Sequence, residues 1–263
     1  MSSRLELYHW EPNTYFLKPL IALAEKEVAF VSRWFDPTQL EQFAPDIPRN
    51  TESELQLERE GPILVHGDTV ISSSFFMLEY IDDTFSGIAL QPGDAFSHYK
   101  ARASAQFLGS LGADASVLGC IKYLVPVLKA RDQHSLKSRL QAVEPLERRN
   151  SWLMLLDDTY NEGILTKACE RLQFPLSRVE QTLGSSPWLA GPEYSLADID
   201  AFALLRPLPT LVPERVNAQQ TPRIMDFLSR MHERKAVKQA LAASRSGKPH
   251  EAFVPGAEPS RWG

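Results

Sequence analysis

The sequence predicts an α+β chain, with a small mixed sheet-and-helix half followed by an all-helical half. Three observations predict it. Short, bulky, strand-like runs occur only early: "LELYHW" (5–10), "VAFVSRWF" (28–35) and "PILVHGDTVIS" (62–72). From Phe96 onward the apolar residues recur at helical spacing, without a convincing strand. Between the two lies "SGIALQPGDA" (86–95), with the Gly and Pro of a linker.

Each element follows in order. Pro12 and Asn13 break the first strand. Leu17, Leu20, Ile21 and Ala24 then form one helical stripe, with Lys18, Glu25 and Lys26 off it. Pro19 belongs in a first turn, where its missing N–H costs nothing, so this helix is expected to start near Tyr15 to Lys18. Residues 36–60, with three prolines and the polar run "RNTESELQLERE", read as a loop with one exposed helix. Gly67-Asp68 marks a hairpin turn, with His66 exposed beside it. The serines of "SSSFFMLEYIDDTF" (72–85) read as helix caps, and Phe75 and Phe76 as core. The order of the first half is β-α-β-α-β-β-α.

In the second half the periodicity predicts helices at about 96–118, 120–131, 135–162, 165–184, 195–206, 221–232 and 234–244. Ser195 with Asp198 three residues on has the form of a capping box, with Tyr194 and Ile199 as its staple, so Asp198 reads as structural. The domains are thus 1–85, a linker at 86–95, a helical domain at 96–243 and a polar tail at 244–263. In that tail Phe253 and Trp262 are placed to dock on a partner or on the protein itself. The run "QFLGSLGADASVLGCIKYLV" (106–125) is rich in Gly and Ala. Such a run serves close helix packing or leaves room for an aromatic ring, with Tyr123 as a pocket residue.

Composition bounds the function. A net charge of −5 over 263 residues argues against nucleic acid or an anionic membrane as the main partner. Cys120 and Cys169 form no metal-ligand cluster and read as packing thiols of a reducing compartment. No stretch reads as a signal peptide or a membrane span of about 20 apolar residues, so a cytoplasmic location is expected. No phosphate loop, metal site or Ser–His–acid arrangement is legible, and the six histidines are scattered.

The β-α-β-α-β-β-α order with Gly61-Pro62 at its third strand, the linker, the helical half and the capped "SLADIDAFA" helix together resemble a glutathione transferase. In that superfamily a thioredoxin-like N-terminal domain binds glutathione and an all-α domain follows. The stretches "NTYFLKPLIALAEKEVAF", "DPTQLEQF", "EYIDDTF" and "EYSLADI" are similar to the bacterial glutathione-dependent β-etherases, which cleave the β-aryl ether bond of lignin-derived aromatics. The resemblance implies glutathione as co-substrate, its thiolate displacing a phenolate. A helix N-terminus and a nearby hydroxyl would stabilise that thiolate. It also implies a dimer.

Where the β-etherase pattern ends its loop in Asn-Ser, this chain has Tyr15 and Phe16. Phe16 cannot donate a hydrogen bond and is left as a substrate-pocket residue. Tyr15 or Thr14 is then the expected catalytic donor, with Tyr8 and His9 as further candidates, and Tyr15 lying flat on the helix start as the alternative. For glutathione binding the resemblance implies Gly61, Pro62, Ser73 and Ser74, although a carboxylate or amide usually precedes the serine at Ser74. The expected activity is a β-etherase-type glutathione transferase. The alternatives are a weakened subunit paired with an intact relative in a heterodimer, or a non-enzymatic binding protein on the same fold.

Overall fold

The computed structural model describes residues 4–48, 61–144 and 146–256. Strand β1 (Leu5–His9) is central in a four-stranded sheet of order β2-β1-β3-β4. It runs parallel to β2 (Val31–Trp34), with Leu7 opposite Ser32, and antiparallel to β3 (Ile63–His66), with Leu7 opposite Leu64. β3 turns back through Gly67-Asp68 into β4 (Thr69–Ile71). Parallel pairing of β1 and β2 demands a crossover, and helix α1 (Thr14–Glu25) supplies it.

α1 starts at Thr14 and places Pro19 in its second turn rather than its first. The missing N–H of Pro19 removes the bond that the Tyr15 carbonyl would otherwise accept. Phe16 to Leu23 are all buried, because α1 packs against α2 (Ser74–Thr84), α9 (Leu196–Leu205) and α12 (Lys235–Leu241). Residues 36–43 form two 3₁₀ turns, Pro37–Gln39 and Glu41–Phe43, and the helix expected further along falls at 49–60, outside the described residues. His66 is half-buried rather than exposed, since its Nδ1 meets the Tyr80 hydroxyl at 2.9 Å and its ring packs on Phe85.

The helical half opens with α3 (Ala95–Gly119), N-capped by Asp94, whose carboxylate accepts from the N–H groups of Phe96 and Ser97. A π turn at Cys120–Leu124 carries it into α4 (Val125–Lys129). By length and composition alone the run 95–129 would cross a membrane, and 61% of its most apolar stretch is buried inside the molecule. Its apolar side faces α7 (Glu162–Arg171), α9 and the chain's C-terminal segment.

The expected helix over 135–162 is two, α5 (Gln133–Leu140) and α6 (Leu146–Leu156), since the chain already leaves the helix at 141–144. That over 165–184 is also two, α7 and α8 (Gln173–Ser185), meeting at Leu172. α10 (Leu208–Leu211), too short for periodicity to reveal, precedes α11 (Pro222–Glu233) and α12.

Every residue of α9 is buried, as a helix apolar all round must be at the centre of a domain. It is started by the Ser195–Asp198 capping box, in which Asp198 accepts from the Ser195 N–H and, outside the helix, from the Leu189 N–H, each at 2.9 Å. One large core joins the sheet, α1, α2 and the helices around α9. A second joins Trp10, Phe16 and Phe35 to α4–α6 and to Phe253 and Val254. Cys120 and Cys169 are free thiols.

Burial raises the Asp198 carboxyl from 3.8 to about 6, against the lowering effect of its hydrogen bonds from Leu189 and Ser195. Between those values the folded chain holds a proton that the unfolded chain has released. The associated stability is therefore complete below about pH 4 and is lost as pH rises to about 6. Relative to Asp198→Asn, the unsubstituted chain should lose about 3 kcal/mol across that window. Urea unfolding of both proteins from pH 4 to 7 checks this, and a pH-independent difference refutes it.

Candidate functional site

The N-terminal turns of α1 and α2 lie together and face the helical half through one buried cation. Lys18, 4% exposed, places its ammonium 2.7 Å from Asp200 Oδ1 of α9 and donates to Ser74 Oγ at 3.2 Å. The same ammonium sits 5.0 Å above the Tyr15 ring. Both helix starts carry backbone strain. Thr14, a β-branched residue, has φ +42°, and Ser73 has φ +78°. Non-glycine residues hold such angles only where the surroundings over-determine them, a situation concentrated at functional sites.

The residue ahead of α1 is Asn13, fully buried and in extended conformation. Its side chain does not cap the helix. Nδ2 donates to the Ala252 carbonyl at 2.9 Å, and Oδ1 accepts from Arg206 Nη1 at 3.3 Å. Burial lowers Arg206 to about 10, and its Nε has no partner among the described residues. A desolvated guanidinium and a helix N-terminus thus converge on one spot, which favours an anion such as a thiolate there.

The expected site residues distribute unevenly. Thr14 is buried at the first position of α1. Tyr15 does not lie flat on the helix start. Its hydroxyl reaches α3, 3.1 Å from where a Gly112 Cβ would stand. Phe16 is not a pocket residue: it is 1% exposed and packed edge-on against Trp10 and Phe35 in the second core, where its apolar ring belongs. Gly61 and Pro62 are buried at the entry to β3. Ser73 makes no side-chain cap, contrary to the capping expectation, and Ser74 is buried with its hydroxyl on Lys18.

Tyr123, on the π turn, stacks on Phe253 at 6.1 Å and 7° between ring planes. Burial lowers the His9 imidazole below its ordinary value, and its Nδ1 meets the Trp10 carbonyl and its Nε2 meets Ser32 Oγ. Tyr8 donates to Glu6, and both are thereby occupied on the sheet.

Sequence reasoning missed Asn13, Lys18, Asp200 and Arg206, and of the segment 252–256 it singled out Phe253 alone, as a residue placed to dock. Two of these left a local trace: Lys18 interrupts an apolar helix start, and Asp200 interrupts the apolar run of α9.

Comparison with known proteins gives this geometry a family context. Residues 144–235 match the glutathione S-transferase C-terminal domain. The solved β-etherase LigF from Sphingobium sp. strain SYK-6 superposes with a TM-score of 0.81 at 24% identity, covering 91% of this chain and 99% of that one. The chain has the glutathione transferase fold.

In sequence, LigF is 24% identical over 247 residues, spanning 92% of this chain and 94% of LigF. The human ganglioside-induced differentiation-associated protein 1-like 1 is 24% identical over 90% of this chain and 73% of its own length. A Pseudomonas fluorescens glutathione transferase family member solved with two glutathione molecules bound has a TM-score of 0.65 at 18% identity, over 91% and 92% of the two chains. In this transferase fold the junction of α1, α2 and α9 is held by the Lys18–Asp200 pair.

Lys18→Met leaves Asp200 buried without its counter-charge and should cost about 3–5 kcal/mol in urea unfolding. The double variant Lys18→Met/Asp200→Leu should recover most of that loss. Equal losses in the two variants would contradict the ion-pair account.

Proposed function

We propose that this chain is a glutathione S-transferase of the β-etherase type, in which glutathione thiolate displaces a phenolate from the β-aryl ether of a lignin-derived aromatic. The observation that carries this is the start of α1, where buried Asn13 and Thr14 and the desolvated Arg206 guanidinium meet at one helix N-terminus on a transferase fold, with the Tyr15 phenol extending from it toward α3. The likeness to LigF supports the choice of reaction.

The thiol proton is lost first, to solvent, favoured by the helix start and the guanidinium, which stabilise the thiolate left behind. The sulfur then attacks the β carbon, a C–S bond forms as the C–O bond breaks, and the phenolate leaves with the electron pair and takes a proton from solvent. Tyr15 or Thr14 donates to the sulfur. Gly61, Pro62, Ser73 and Ser74 hold the peptide, Ser74 beside the Lys18 ammonium. Glutathione is a co-substrate, and no metal takes part. The acidic chain with two free thiols fits the cytoplasm.

A second reading, a subunit that pairs with another transferase chain, is favoured by one observation. Phe76 on α2 and the stacked Phe96 and Tyr99 on α3 are 54%, 67% and 65% exposed. Large aromatic side chains left in water on adjacent helices fit a dimer contact, with a like chain or a related one.

Calorimetric titration of glutathione into the purified chain near neutral pH should give saturable binding. Thr14→Val/Tyr15→Phe should then lower kcat on a β-aryl ether by about 100-fold, the effect of losing an oriented donor, with glutathione affinity little changed. Unchanged turnover refutes the assignment of the donor. Glutathione binding without turnover by the single chain, restored on adding a related transferase chain, favours the paired reading.

A further inference from the structure

The C-terminal segment of the described chain runs back between the loop that starts α1 and helix α3. Its base is pinned by Glu11, a 3% exposed carboxylate in the loop after β1. Glu11 accepts from Ser244 Oγ and from the N–H groups of Arg245 and Ser246, the latter two at 3.0 and 2.9 Å. After a 3₁₀ turn at Pro249–Glu251, the Ala252 carbonyl accepts from Asn13 Nδ2. Phe253 and Val254 are each 1% exposed. The Phe253 ring lies directly on Gly119, where any Cβ would overlap it, and is parallel to Tyr123. Gly256 ends against Tyr15 and Ser116: a Cβ there would stand 2.9 Å from Tyr15 Oη and 3.3 Å from Ser116 Oγ.

Three features make this segment behave as a ligand rather than as a structural element. Among the described residues, 253–256 form no backbone–backbone hydrogen bond with the rest of the chain, so no regular secondary structure holds them. The slot beneath Phe253 combines Gly119, which has no side chain to obstruct a ring, with a π turn, an irregularity that is frequent at functional sites. Ser116, 1% exposed, aims a hydroxyl at the segment and has no hydrogen-bond partner among the described residues. A buried hydroxyl left unpaired beside an aromatic slot matches a ring that carries an oxygen substituent, which Phe253 lacks.

We propose that residues 252–256 are a displaceable plug. Phe253 holds the place of an oxygen-substituted aromatic ring in the slot between Gly119 and Tyr123, and such a ring enters by displacing it. The inference rests on the transferase reading for the identity of the cleft, and on this chain's own contacts for the slot. Occupancy of the slot and the state of the α1 start are then linked, because withdrawal of Ala252 releases the Asn13 amide beside Thr14. The fraction of chains with the plug withdrawn scales the apparent aryl affinity.

The test uses the full chain without glutathione, so that failure of glutathione to bind leaves it unaffected. The probe is the aryl ether 2-phenoxyethanol, and the readout is chymotrypsin cleavage after Phe253, identified by product mass. Saturating probe should raise the cleavage rate there at least about fivefold while cleavage elsewhere is unchanged. Glu11→Gln, which loosens the base of the plug without touching the slot, should tighten probe binding severalfold. Phe253→Leu in the full chain should do the same and guards against misfolding of the Glu11 variant.

Probe binding with no change in cleavage would make Phe253 a permanent core residue and overturn the proposal. Absence of probe binding in the unsubstituted chain and in both variants would overturn it as well. Either failure, alongside normal glutathione conjugation, leaves the transferase reading standing.

Discussion

The junction on which the cleft depends is the buried ion pair of Lys18 and Asp200. One ammonium on the second turn of α1 reaches α9 through a carboxylate and α2 through the Ser74 hydroxyl, and covers the Tyr15 ring. Burying both charges is costly, and a well-packed apolar pair can be as stable. What the pair adds is direction: an ammonium within hydrogen-bond reach of both groups sets the position of α1 relative to both neighbours. The strained residues Thr14 and Ser73 stand at the two helix starts beside it, where tight packing can hold unusual backbone angles.

Around that junction the molecule has two cores, and they differ in kind. The larger is built on the wholly buried α9 and joins both halves. The smaller gathers Trp10 and Phe16 from the first half, Trp152 and Leu155 from the helical half, and Phe253 and Val254 from the tail. Glu11 and Asn13, two residues apart in one loop, hold that tail at its base and at its entry to the cleft. The loop that starts α1 is therefore also the loop that closes the cleft. This couples the start of α1 to the position of the tail.

The legible parts of the fold were those with local causes. The alternating "LELYHW", the Gly67-Asp68 turn and the Ser195–Asp198 box each predict an element within a few residues of its observed position. The errors had equally local causes. Pro19 lies in a second turn because the tightly packed α1 starts earlier than proline preference alone implies. The helix expected over 135–162 is divided at 141–144, and α7 and α8 meet at Leu172 within a stretch whose periodicity runs on. Phe16, assigned to a pocket because it replaces a hydroxyl in the resembling pattern, is instead swallowed by Trp10 and Phe35. The small-residue run 106–125 does face an aromatic ring, but the ring is Phe253 of the chain itself.

By itself the sequence determined the kinds and order of the elements, the resemblance to a glutathione transferase and the change of character near residue 90. Periodicity, caps and turn residues act over one or two turns of chain, so they can be read from neighbours alone. Only the tertiary structure decided which polar groups meet at the cleft. Asn13 and Ala252 are 239 residues apart, Asn13 and Arg206 are 193, and the Lys18–Asp200 pair joins α1 to α9. Such contacts depend on how packed helices bring distant side chains together, and burial then sets their charge and pairing. No local pattern encodes that, because the low-dielectric surroundings that lower Arg206 and raise Asp198 exist only once the chain has folded around them.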